Sequence, residues 1–174
     1  MSDLAGVRKM IQVEETQYRS AVSEAFAQKL GSSVNFINIA QKYDKGWFVN
    51  GTYALLTLPY SAIDGIYLVP DNATITNAML YVRTAGSSGT TELDIKYATT
   101  PGGAWTSIFS TTPKITSAAG NYAWCYTGSA FSNTTAPVLS TTTLNAGSAL
   151  RCDIIQAQGG TPVGCGLILY MQPR

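Results

Sequence analysis

Two runs near the C-terminus, 149–156 and 163–171, restrict this chain to β-structure more than any other stretch. In the first, Leu150, Cys152 and Ile154 alternate with Arg151 and Asp153. Period 2 marks a strand with one face toward a core and one toward water. The second run is apolar almost throughout, so it is expected to be covered on both faces. Gly159, Gly160 and Pro162 lie between them and carry turn chemistry. The simplest expectation is a central antiparallel pair flanked by earlier strands, across which Cys152 and Cys165 face each other. Two buried thiols fit that placement better than a disulfide, which stays open.

Upstream, short runs alternate with turn signals. They cover 52–58, 65–69, 75–83, 92–97, 105–109, 122–126 and 137–144. In 92–97, Leu93, Ile95 and Tyr97 point inward and Glu92, Asp94 and Lys96 outward. The spacing predicts about nine strands in a mainly β fold, an antiparallel jelly-roll-like β-sandwich. No run of crossover-helix length interrupts it, which argues against a parallel sheet.

The front of the chain is different. Residues 1–13 hold few apolar anchors and read as a tail. Over 14–30, Tyr18, Val22, Phe26 and Leu30 recur every fourth residue beside Ala21 and Ala25. Glu14 and Glu15 sit at the start and Gly31 at the end, so one amphipathic N-terminal α-helix is predicted. Its stripe can pack on its own sheet or meet copies of itself; self-contact through Tyr18, Val22, Ala25, Phe26 and Leu30 is the expectation adopted. Residues 32–51 are too apolar for a free linker, with Phe36, Trp47 and Phe48 available to anchor on a partner. The expected organisation is therefore a tail and helix at 1–31, an apolar connector at 32–51 and a β-sandwich at 52–174.

Composition narrows the function. Charged residues make up 12% of the 174 and the net charge is +1, about half the charge content of a typical soluble domain. Nothing basic is offered to nucleic acid. The start lacks a secretory signal, and no apolar stretch approaches the length of a membrane-spanning helix. Three cysteines without a C-x-x-C pair suit synthesis in a reducing cytoplasm. There is no histidine, which removes the commonest general base and zinc ligand. No phosphate-binding glycine motif occurs. Glu92 and Asp94 share a strand face at a spacing that glycosidases use. With Lys96 beside them and Arg83 expected on the neighbouring strand, they read as a solvated charge cluster. No enzyme, metal or cofactor is predicted. Trp105, Tyr122, Trp124 and Tyr126 form a candidate glycan platform if their runs are neighbours and the rings exposed.

The strings Val22–Asn38, Trp47–Gly51 with Tyr53, Phe109–Ile115 and Thr143–Gly147 resemble the front and body of certain tailed-bacteriophage virion proteins. The resemblance implies a head decoration (cement) protein or head fibre. In such a protein a short N-terminal helix attaches a β-sandwich to the particle. It further implies a homotrimer whose partners are itself and the major capsid or another virion protein, resident in the virion. The alternative is a receptor-binding fibre module that reads host-surface glycans.

Overall fold

The computed structural model describes residues 43–53 and 58–174. The predicted helix, the tail, and the residues Tyr18, Val22, Ala25, Phe26, Leu30 and Phe36 lie outside the described residues.

The described chain is built from strands, in order β1 (Tyr43–Thr52), β2 (Tyr60–Leu68), β3 (Ala73–Thr84), β4 (Thr90–Ala98), β5 (Thr106–Ser107), β6 (Phe109–Thr111), β7 (Lys114–Thr116), β8 (Ala123–Tyr126), β9 (Ser129–Ala130), β10 (Thr134–Thr135), β11 (Val138–Leu139), β12 (Thr143–Leu144), β13 (Ala149–Gln156) and β14 (Val163–Pro173). The count exceeds the expected nine because loop stretches contribute pairs of two or three residues. The long strands fall on the alternating runs.

Two antiparallel sheets form a sandwich. Sheet A has the order β1-β14-β3-β8-β9, with β12 also on β3; sheet B has the order β10-β7-β4-β13-β2, with β5 also on β4. A small β11–β6 pair stands apart. The chain changes between these two sheets at β1 to β2, β2 to β3, β3 to β4, β7 to β8, β9 to β10, β12 to β13 and β13 to β14.

That last crossing corrects the expected C-terminal pair. β13 and β14 do not pair with each other; each is central in a different sheet. The glycine- and proline-containing loop between them spans the gap between facing sheets, roughly 10 Å, instead of closing a hairpin. Cys152 and Cys165 therefore enter the core from opposite sheets, and both are free and buried. Burial pushes the Cys165 thiol up to about 12 and Cys125 up to about 11, so neither is a ready nucleophile.

A second correction concerns residues 43–52. They are the edge strand β1, registered along β14 from Tyr43↔Met171 to Thr52↔Val163. Their apolar content is that of a half-buried strand, with Trp47 inward and Phe48 outward.

The core forms where the inward residues of both sheets meet. Leu80, Val82, Leu167 and Leu169 come from sheet A, and Leu93, Ile95, Leu150 and Ile154 from sheet B. Each is essentially inaccessible, which stabilises the fold by about 1.5–3 kcal/mol per large side chain. One polar pair is accommodated inside: the Tyr53 and Thr91 hydroxyls lie 2.8 Å apart, so neither is left unpaired.

Candidate functional site

The two outer faces of the sandwich have different chemistry. On sheet B the charged residues gather. Asp94 and Asp153 stand directly opposite each other on β4 and β13, and Glu92 stands opposite Lys114 on β7. They point outward as alternation predicts, yet Glu92, Asp94 and Asp153 are only 7%, 5% and 1% exposed. The expected solvated cluster is thus a covered one.

Asp153 accepts from the Ala62 N–H at 2.9 Å and pairs with Lys96 and Arg151, each at 3.1 Å. Lys114 reaches Glu92 at 3.2 Å, and the Thr112 hydroxyl donates to the same carboxylate. The Ser107 hydroxyl donates to Asp94 at 2.6 Å. Trp105 covers Arg151, whose guanidinium carbon is 4.6 Å from the ring centroid. Arg83 takes no part: it lies on β3 in the other sheet.

Asp94 is the strained member. Burial raises its pKa; the Ser107 hydrogen bond and Lys96 act downward, and Asp153 and Glu92 add to the rise. A carboxyl whose folded pKa lies above its unfolded value stabilises fully when protonated, below the unfolded pKa. That contribution is lost as pH rises through the folded value. Asp94→Asn should therefore raise the melting temperature at pH 7, and the gain should shrink as pH falls into the ordinary carboxylate range. Thermal unfolding of both proteins across that range checks it.

Two carboxylates with different environments are what acid–base chemistry needs, but these two are sealed from a substrate. Among the described residues no group of three or more His, Cys, Asp or Glu could hold a metal ion.

Sheet A presents aromatic rings. Phe48 on β1, Gly166 on β14, Tyr81 on β3 and Trp124 on β8 form one cross-strand row. The next row is Gly46, Ile168, Met79 and Tyr126. Trp124 and Tyr126 stack with centroids 5.3 Å apart, and Phe131, beyond β9, leans on Trp124 at 6.1 Å. Phe48 and Tyr81 are 6.3 Å apart. Glycine makes this possible. A Cβ on Gly166 would stand 2.6 Å from Phe48 and 2.7 Å from Tyr81, and one on Gly46 would also strike the Phe48 ring.

The four aromatics expected as a glycan platform are divided between the faces. Trp105 covers Arg151 on sheet B, and Tyr122, Trp124 and Tyr126 belong to the β8 side of sheet A. Tyr122 is 77% and Trp124 37% exposed. Of the expected anchors, Trp47 is fully buried and has no surface to give a partner, whereas Phe48 is 41% exposed. Sequence reasoning passed over Tyr81 and Phe131. Tyr81 was readable from its place between inward Leu80 and Val82. Phe131 was not, because only the β8–β9 hairpin brings it across from Trp124.

No family model matches the chain, and no curated protein matches it. Among solved structures it is similar to a chain of the capsid of Ralstonia phage GP4, at 12% identity and a TM-score of 0.45, over 78% of this chain and 86% of that one. A likeness of that size leaves function to be argued from the chain's own surfaces.

Proposed function

We propose that this chain is a structural protein of a bacteriophage virion, a capsid decoration or head fibre protein. It associates with itself as a homotrimer through the helix stripe Tyr18, Val22, Ala25, Phe26 and Leu30. It attaches to the major capsid protein or another virion protein through its N-terminal segment, with Phe36 as an apolar anchor. It is made in the host cytoplasm and catalyses nothing, and it needs no cofactor, nucleic acid or membrane.

The observation that carries this reading is the contrast between the two faces. Glu92 and Asp153 are covered and paired with neighbouring cations, while the exposed Phe48 and Trp124 lie in an uncharged row of sheet A. Such a surface offers contact and no reaction. The strand order supports it by analogy: β1-β14-β3-β8 facing β2-β13-β4-β7 is a jelly roll, an architecture common in viral shells.

The alternative, a fibre module that binds host glycans, keeps Tyr122 and Trp124 as exposed rings. It loses Trp105 to the other face. Retention of the protein on empty phage heads tests the first reading, and a glycan array tests the second.

A further inference from the structure

We propose that the outer face of sheet A is a contact surface between copies of this chain, packed around the symmetry axis of the oligomer. This rests on the self-association reading above and adds a second contact, within the sandwich, to the one assigned to the helix.

Three observations point there. The first is charge. The row Phe48, Gly166, Tyr81, Trp124 and the row Gly46, Ile168, Met79, Tyr126 contain no ionisable acid or base of the carboxylate or ammonium kind. Around a symmetry axis each residue near the axis meets its own counterpart. A charge there would face the same charge from every copy, which costs energy, so a neutral surface suits an axis. Charges begin where the two rows end, with exposed Arg83 on one side and exposed Asp44 on the other. An uncharged centre with a charged rim is the anatomy of a protein interface.

The second is shape. Phe48 bends over Gly46 and Gly166, and Tyr81 approaches the same Gly166. Without Cβ atoms beneath them the rings lower onto the sheet and leave a shallow face that another sheet can approach. The third is composition. Phe, Tyr, Trp and Met dominate the patch, the residue types enriched in interface centres. Phe48, Trp124 and Phe131 keep 41%, 37% and 47% of their surface exposed, an apolar exposure that docking would remove. A sugar would need several hydrogen-bonding groups converging on the rings, and the side chains of these two rows supply only the Tyr81 and Tyr126 hydroxyls and the Trp124 indole N–H.

The test is sedimentation equilibrium of the full chain beside two single variants, Trp124→Glu and Phe131→Glu. Circular dichroism and thermal unfolding identify which variants are folded. Both positions are exposed, so if one variant fails to fold the other answers. Expected is an oligomer for the unaltered chain, with dissociation at least tenfold easier in each folded variant and no loss in Trp124→Phe. Unchanged association in a folded Glu variant would overturn the proposal and leave the helix contact standing. Unchanged association together with lost retention on a polysaccharide column would also overturn it, and would give the face to a sugar. A monomeric unaltered chain would overturn this proposal and the self-association reading together; binding of that monomer to heads would leave the virion assignment intact.

Discussion

Trp47→Ala should destabilise the sandwich by about 3–5 kcal/mol, the cost of emptying a large aromatic site in a packed core. Trp47 is fully buried on β1, between the two sheets. Nothing outside the core can fill the cavity, because its neighbours are held by the strands that carry them. In a domain of this length such a loss lowers the melting temperature by roughly 10 °C. Trp47→Phe should cost far less. The indole N–H has no hydrogen-bond partner among the described residues, so removing it breaks no bond. Thermal unfolding of both variants decides the matter. If Trp47→Ala instead left stability unchanged and abolished attachment to a partner, the ring would be an anchor and its placement in the core would be wrong.

Asp153→Ala should cost about 3 kcal/mol, near the lower end for breaking a buried ion pair. Asp153 is 1% exposed and receives three groups: Lys96, Arg151 and the Ala62 N–H. Alanine leaves two cations beside the covered Asp94 and Glu92 and leaves one backbone donor without its acceptor. One effect opposes the loss, since Asp153 also repels Asp94. That repulsion is outweighed: for Asp94 it ranks behind burial, the Ser107 hydrogen bond and Lys96. Lys96 and Arg151 are about a quarter exposed, at 26% and 22%, so water recovers part of their solvation and keeps the cost from the top of the range. Denaturant unfolding measures it. Asp153→Asn should fall between, because its amide oxygen can still accept from Ala62.

How far the sequence could be read depended on whether a feature was local. The period-2 runs are local, and the long strands β3, β4 and β13 lie where Leu80, Leu93 and Leu150 alternate with their outward neighbours; β14 lies on the continuous apolar run, whose outward Ile168 and Tyr170 are only partly covered. Sheet membership is not local. A loop of six residues after Gln156 can close a hairpin or cross a sandwich, and Gly159, Gly160 and Pro162 serve either course. Burial of outward residues is equally distant. Asp94 and Asp153 alternate as solvent-facing residues should, but each sits opposite the other with cations and hydroxyls from neighbouring strands closed over them. The same limit divided Trp105 from Trp124: Trp105 stands just before β5 and Trp124 on β8, and only the pairing of β5 with β4 and of β8 with β3 assigns them to opposite faces. Trp47 and Phe48 show the reverse case. Placing 43–52 on a strand, where neighbours in sequence take opposite faces, would have separated the buried ring from the exposed one at once.

On the proposed function, this sandwich is fastened to a particle by its N-terminal segment. Co-sedimentation with empty phage heads, using the full chain and a chain lacking residues 1–41, tests that claim most directly. The full chain should pellet with the heads at a fixed number of copies per head, and the shortened chain should remain in the supernatant while keeping its β-sheet circular dichroism and cooperative melting. Equal pelleting of both chains, or pelleting of neither, would contradict it.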